Sequence, residues 1–146
     1  MKIQQISMFL ENKPGRIIEP CKVLAKNNIN ILTLSLADTQ QFGILRLIIK
    51  EWQKAKEVLE QEGFIVNVTE VVAIEVEDKP GGLTKILEAI EETGLNIEYI
   101  YAFTFRSGDK AVIVFRFDKP DLAIQTLQQK GINVLDSVQL YDKANQ

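Results

Sequence analysis

The 146-residue sequence has no histidine and a single cysteine. Without histidine there is no imidazole to serve as a general base or to complete a nucleophile–base triad. One thiol cannot close a disulfide within the chain, and a zinc site built from cysteine and histidine would have a single donor. No apolar run approaches the roughly 18 residues of a membrane span. The N-terminus, Met1-Lys2-Ile3-Gln4-Gln5, alternates like a strand and lacks the apolar core of a signal peptide. Lysine and arginine (17) are outnumbered by aspartate and glutamate (20), for a net charge of −3. That balance gives no long-range attraction to nucleic acid or anionic lipid. No cofactor or metal is expected, and neither is contact with a membrane or nucleic acid. A cytoplasmic protein is the expectation.

What the sequence does contain is a repeat. Glu11-Asn12-Lys13-Pro14-Gly15-Arg16-Ile17 returns as Glu77-Asp78-Lys79-Pro80-Gly81-Gly82-Leu83, 66 residues later (79 − 13). Asn30-Ile31 and Asn96-Ile97 keep that offset. Ala55, Leu59, Gly63 and Val66 match Ala123, Leu127, Gly131 and Val134 at an offset of 68 (123 − 55), so the second copy holds two extra residues. A long period calls for a duplicated structural unit. The boundaries fall at 1–69 and 70–146, with no glycine-, serine- or proline-rich linker between them.

Each copy reads the same way. Ile6, Met8 and Leu10 alternate with polar residues, as do Val72, Ile74 and Val76; period two predicts a strand. A helix follows, its apolar stripe being Ile17, Ile18, Cys21, Leu24 and Ala25 in one copy and Leu83, Ile86, Leu87 and Ile90 in the other. Cys21 on that stripe is expected to be a buried core thiol. Asn27-Asn28 and Thr93-Gly94 stop these helices, since asparagine and glycine tolerate the left-handed conformation at a helix end. Two strands come next, 29–38 with 42–50 and 95–105 with 110–118. A second helix opens near Trp52 and near Asp121 and ends at Gly63 and Gly131. A last strand runs through Phe64, Val66 and Val68, and through Ile132 and Val134. The fold class is α+β: two ferredoxin-like β-α-β-β-α-β units in tandem. Both faces of each sheet read as apolar, which asks for a partner surface.

The loop between the first strand and helix carries the chemistry. The first N–H groups of a helix have no internal partners and bear partial positive charge. Near Gly15, Arg16 and Ile17, and again near Gly81, Gly82 and Leu83, such groups suit a carboxylate or phosphate. Asn12 offers a donor and an acceptor; Asp78 offers acceptors only, which suits an ammonium group. Plain helix capping by Asn12 and Asp78 is the competing reading. Asn30 and Asn96 open the second strand of each copy.

This pattern, Asn12-Lys13-Pro14-Gly15 with Asn28-Ile29-Asn30-Ile31 and Asp78-Lys79-Pro80-Gly81-Gly82 with Gly94-Leu95-Asn96-Ile97, resembles the ACT domain, a small regulatory amino-acid-binding module. The resemblance spans nearly the whole chain, twice. It implies a regulatory protein without catalytic activity that binds a free amino acid, forms a homodimer or larger assembly, and acts on a separate enzyme or regulator of amino-acid metabolism. It also implies that Asn12 and Gly15 hold the ligand's α-amino and α-carboxylate groups, with Asn30 bonding from across an interface, and that Asp78, Gly81 and Asn96 take those places in the second copy. Asp78 departs from the first copy, and an acidic side chain repels a carboxylate. Three alternatives stand beside this one. They are a ligand-free assembly module, an acylphosphatase-like hydrolase using Arg16 and Asn30, and an RRM-like RNA binder using exposed Phe115 and Phe117.

Overall fold

The computed structural model describes residues 1–145, and they fold as two compact units. One unit is Gln4–Thr69; the other runs from Glu70 onward and takes in Met1–Ile3.

The first unit contains β1 (Ile3–Glu11), α1 (Ile18–Lys26), β2 (Thr33–Asp38), β3 (Phe42–Ile48) and α2 (Trp52–Gln61). Its sheet order is β2-β3-β1, antiparallel throughout. Register pairs Met8 with Leu45 and Leu45 with Leu36, so these three face the same way. Ile6, Met8, Leu10, Leu45, Leu47 and Ile49 bury one sheet face beneath Leu24 of α1 and Ala55 and Leu59 of α2. Asn28 and Gly63 take positive φ just beyond the two helices. Of the expected closing strand through Phe64, Val66 and Val68, only Val68 lies in a strand, at the start of β4 (Asn67–Glu77). Phe64 and Val66 pack against the core as irregular chain, and β4 starts only after them. No turn residue interrupts Val68, Thr69, Val71 and Val72, and β-branched residues favour an extended chain. The boundary between the two units falls inside β4.

The face of α1 also differs from the expectation. Pro20 and Leu24 are its buried residues, while Ile17, Ile18 and Ala25 are exposed and Cys21 is only half-buried. Pro20 is the reason. It lacks an N–H, so the Arg16 carbonyl cannot accept an i+4 bond and instead takes the N–H of Glu19 at 3.3 Å. The helix starts late, and its buried line runs through Pro20 and Leu24.

The second unit contains β4 from Glu70, α3 (Gly82–Glu91), β5 (Ile97–Ser107), β6 (Lys110–Phe117), α4 (Pro120–Gln129), β7 (Val134–Leu135) and α5 (Ser137–Ala144). Its sheet order is β7-β4-β6-β5. Val72, Ile74, Val76, Phe115 and Phe117 form its core with Ile86 and Ile90 of α3 and Ala123 and Leu127 of α4. Leu87 of the expected stripe is exposed. Phe115 and Phe117 are fully buried, which removes the aromatic platform that an RNA-binding reading requires. Helix α5 is an addition to the expected element order. Asp136 and Gln139 form a capping box: the Gln139 N–H donates to the Asp136 carboxylate (2.8 Å), and the Asp136 N–H to the Gln139 side-chain carbonyl (3.1 Å). Leu140 is buried, and α5 packs on β5 and β7. Lys2 pairs with Glu70 (3.3 Å) and Asp121 (3.1 Å). Among the described residues no helix is long and apolar enough to cross a membrane.

Candidate functional site

The strand-to-helix loops open where β1 and β4 end. In the first unit the chain leaves Glu11 and turns through Asn12–Ile17 before α1 begins. Gly15 has a φ of +84° and Gly81 one of +85°. A Cβ on either would meet nothing within 4 Å, so left-handed backbone, not room for a ligand, is what requires glycine there. The Arg16 N–H is used inside the loop, donating to the Lys13 carbonyl at 3.3 Å, as the Gly82 N–H does to Lys79 at 3.0 Å. Side-chain capping is absent: the N-cap residues are Ile17 and Gly81, and neither Asn12 nor Asp78 caps a helix.

Asn12 does something else. Its side-chain amide donates to the Gln40 carbonyl (3.0 Å), and its backbone N–H to Gln41 (2.9 Å). These two bonds stitch the loop to the β2–β3 turn, where Gln40 has a φ of +74°. Asn12→Ala is expected to lower stability by about 0.5–1.5 kcal/mol, read as a shift in urea midpoint at constant slope.

At this loop lies a cavity of about 220 Å³, lined by Leu10, Glu11, Asn12, Lys13, Arg16, Ile17, Leu36, Asp38 and Gly43. Register explains the convergence. Leu10 pairs with Gly43, and Gly43 with Asp38, so three strand ends meet at one end of the sheet. Arg16 donates through one terminal nitrogen to Glu19 (3.0 Å), while its Nε is shielded from solvent with no partner. Lys13 lies 2.9 Å from Glu11 and, with Arg16, holds that carboxyl below the usual glutamate range; Lys79 does the same for Glu77 at 3.1 Å. A depressed folded-state pKa adds stability above the ordinary glutamate range and loses it as pH falls through the lowered value. Acid titration of the fold should therefore show these two groups protonating below unperturbed glutamates, read by NMR of the side-chain carbonyls.

The second loop is built differently. Asp78 is bound by the guanidinium of Arg106, which also donates to the Asp109 carbonyl (3.1 Å). The groove there is lined by Glu77, Asp78, Lys79, Arg106, Asp109 and Lys110, all charged. Gly82 is buried against β4, where a Cβ would sit 1.9 Å from the Glu77 carbonyl oxygen. Leu83 packs on the core.

Of the residues singled out from sequence, Asn12, Arg16 and Ile17 line the first cavity, and Gly15 shapes the loop without lining it. Asn30 precedes Thr33, which pairs with Ile48, so it stands at the opposite end of its own sheet. Asn96 is likewise remote from its loop: its backbone N–H donates to the Asp118 carboxylate (3.0 Å). Leu10, Leu36, Asp38 and Gly43 were not anticipated. The alternation of Leu34, Leu36 and Asp38, set in hairpin register with 42–48, was the signal for them.

The family model described as "ACT domain pair" matches residues 1–143. Among solved structures, protein BT0572 from Bacteroides thetaiotaomicron is 40% identical with a TM-score of 0.89, over 97% of this chain and 96% of that one. The regulatory subunit of aspartate kinase from Thermus thermophilus is 19% identical (TM-score 0.62, 86% and 91% covered), and that from Thermus flavus 20% identical (0.59, 86% and 90%). These two are likenesses of fold. No curated protein matches the chain.

Proposed function

Because the chain belongs to the ACT domain pair family, we propose that it is a regulatory protein that binds a free amino acid and acts on a separate enzyme or regulator, with no reaction of its own. The observation that carries this reading is the first-unit cavity, which combines an aliphatic floor with a guanidinium and carboxylates. Its volume is small beside the roughly 300–1,000 Å³ of drug-sized sites, which suits a metabolite of amino-acid size. The units serve as tandem ACT-like domains, and residues 10–17 with 36–43 form the binding region. Phe9, Leu34, Leu36 and Phe42 are exposed on the first unit, and a homodimer that covers some of them accounts for that apolar surface.

The test is a thermal-shift screen against the twenty amino acids. At about 100 Kd of the right one, linkage stabilises by roughly 2.7 kcal/mol, which raises Tm by about 5–10 °C for a chain of this size. No shift with any of them at millimolar concentration favours an assembly module that binds no ligand. One observation favours that second reading: the Asn12 amide and an Arg16 nitrogen are already engaged within the protein.

A further inference from the structure

The two loops derive from one repeat, yet only the first keeps a cavity with an aliphatic wall. Leu10, Leu36 and Ile17 supply its aliphatic lining, with Gly43 beside them. Charge sits beside it with both signs available. Arg16 keeps a shielded Nε without a partner, and the Asp38 carboxylate makes no side-chain bond among the described residues. A zwitterion with an apolar side chain satisfies all three features: its carboxylate meets the guanidinium, its ammonium meets Asp38, and its side chain lies on leucine. The other two charges that line the cavity, Glu11 and Lys13, are paired with each other at 2.9 Å, so a charged side chain would have to break that pair or lie against Leu10 and Leu36 unpaired.

The second loop offers charge of both signs but not the apolar wall beside it. No apolar residue lines its groove. The acceptor that replaces Asn12, Asp78, is consumed by Arg106. Glycine replaces the arginine, and the start of α3 packs so closely on the end of β4 that a Cβ on Gly82 would lie 1.9 Å from the Glu77 carbonyl oxygen. Pro20 keeps the equivalent turn of the first unit from winding into helix, and Ile86 stands at that place in the second.

From this asymmetry we infer that the chain binds one α-amino acid, in the first unit only, and that its side chain is uncharged and aliphatic. The inference rests on the amino-acid-binding reading and narrows it to a class and a stoichiometry.

Isothermal titration of the full chain with L-alanine, L-valine, L-leucine, L-aspartate and L-lysine tests it. The expected result is one site per chain for an aliphatic amino acid, with aspartate and lysine at least about 10-fold weaker. Arg16→Ala should weaken binding about 10-fold or more. Gly43→Ala places a Cβ 3.0 Å from Leu36 Cδ1, so Leu36 must shift, and leucine should lose more affinity than alanine. Asp78→Ala and Arg106→Ala should leave affinity and stoichiometry as in the wild type. Two sites per chain, a preference for a charged amino acid, or loss of binding in Asp78→Ala overturns this inference while the amino-acid-binding reading stands. No binding in this titration, together with no shift for any of the twenty in the thermal screen, overturns both.

Discussion

Gly82→Ala is expected to destabilise the protein by about 3 kcal/mol or more, lowering Tm by about 10 °C. The added Cβ would lie 1.9 Å from the Glu77 carbonyl oxygen and 2.9 Å from its carbon. Both are backbone atoms and cannot rotate away. The helix start cannot easily retreat either. The Gly82 N–H is held by Lys79 at 3.0 Å, and the Lys85 N–H by Gly81 at 3.0 Å. Gly15→Ala is the matched comparison. There the backbone is left-handed but the space is open, so the cost is that of the conformation alone, about 1–2 kcal/mol. Urea unfolding of the two variants separates them. A Gly82→Ala protein as stable as Gly15→Ala would mean that α3 does not pack on the end of β4 as described.

A loss of comparable or larger size is expected for Phe115→Ala, about 3–5 kcal/mol and roughly 10–15 °C. Phe115 pairs with Val72 across the ladder, is fully buried, and stacks on Phe117 with ring centroids 5.6 Å apart and planes 6° from parallel. Truncation removes apolar surface and leaves a cavity that its neighbours fill only in part. Phe9→Ala serves as the contrast. Phe9 is 63% exposed, and its truncation should change stability by no more than about 0.5 kcal/mol. If the two phenylalanines cost the same, Phe115 is not a core residue.

The contrast also shows what could be read from sequence. The duplicated period, the alternation of Ile6, Met8 and Leu10, and the glycines at 63, 94, 108 and 131 are local signals. Each glycine takes the positive φ that its turn or helix end requires. Such features depend on neighbours in the chain, so they survive the absence of a structure. The family resemblance rested on the same kind of short motif, and the match over residues 1–143 bears it out.

The misses have two kinds of cause. Some signals stand in the sequence itself: Pro20 inside a helical stripe and the Asp136–Gln139 capping box. Others depend on the tertiary arrangement. That Asn12 would bond to Gln40, 28 residues away, follows from hairpin register and turn geometry. The Arg106 hold on Asp78 spans the same separation and could not be read from either residue alone.

Pro20 has a consequence for motion. The Glu19 N–H reaches the Arg16 carbonyl at 3.3 Å in place of an i−4 partner, and Pro20 brings no amide hydrogen to the ladder. Amides without ladder partners exchange with solvent from small local openings, while those inside helices wait for larger ones. In deuterium, residues 15–19 should label early, and residues 85–90, inside α3, late. A molecule settling under the first loop would be seen there as slowed labelling, well before any change in the cores was detectable.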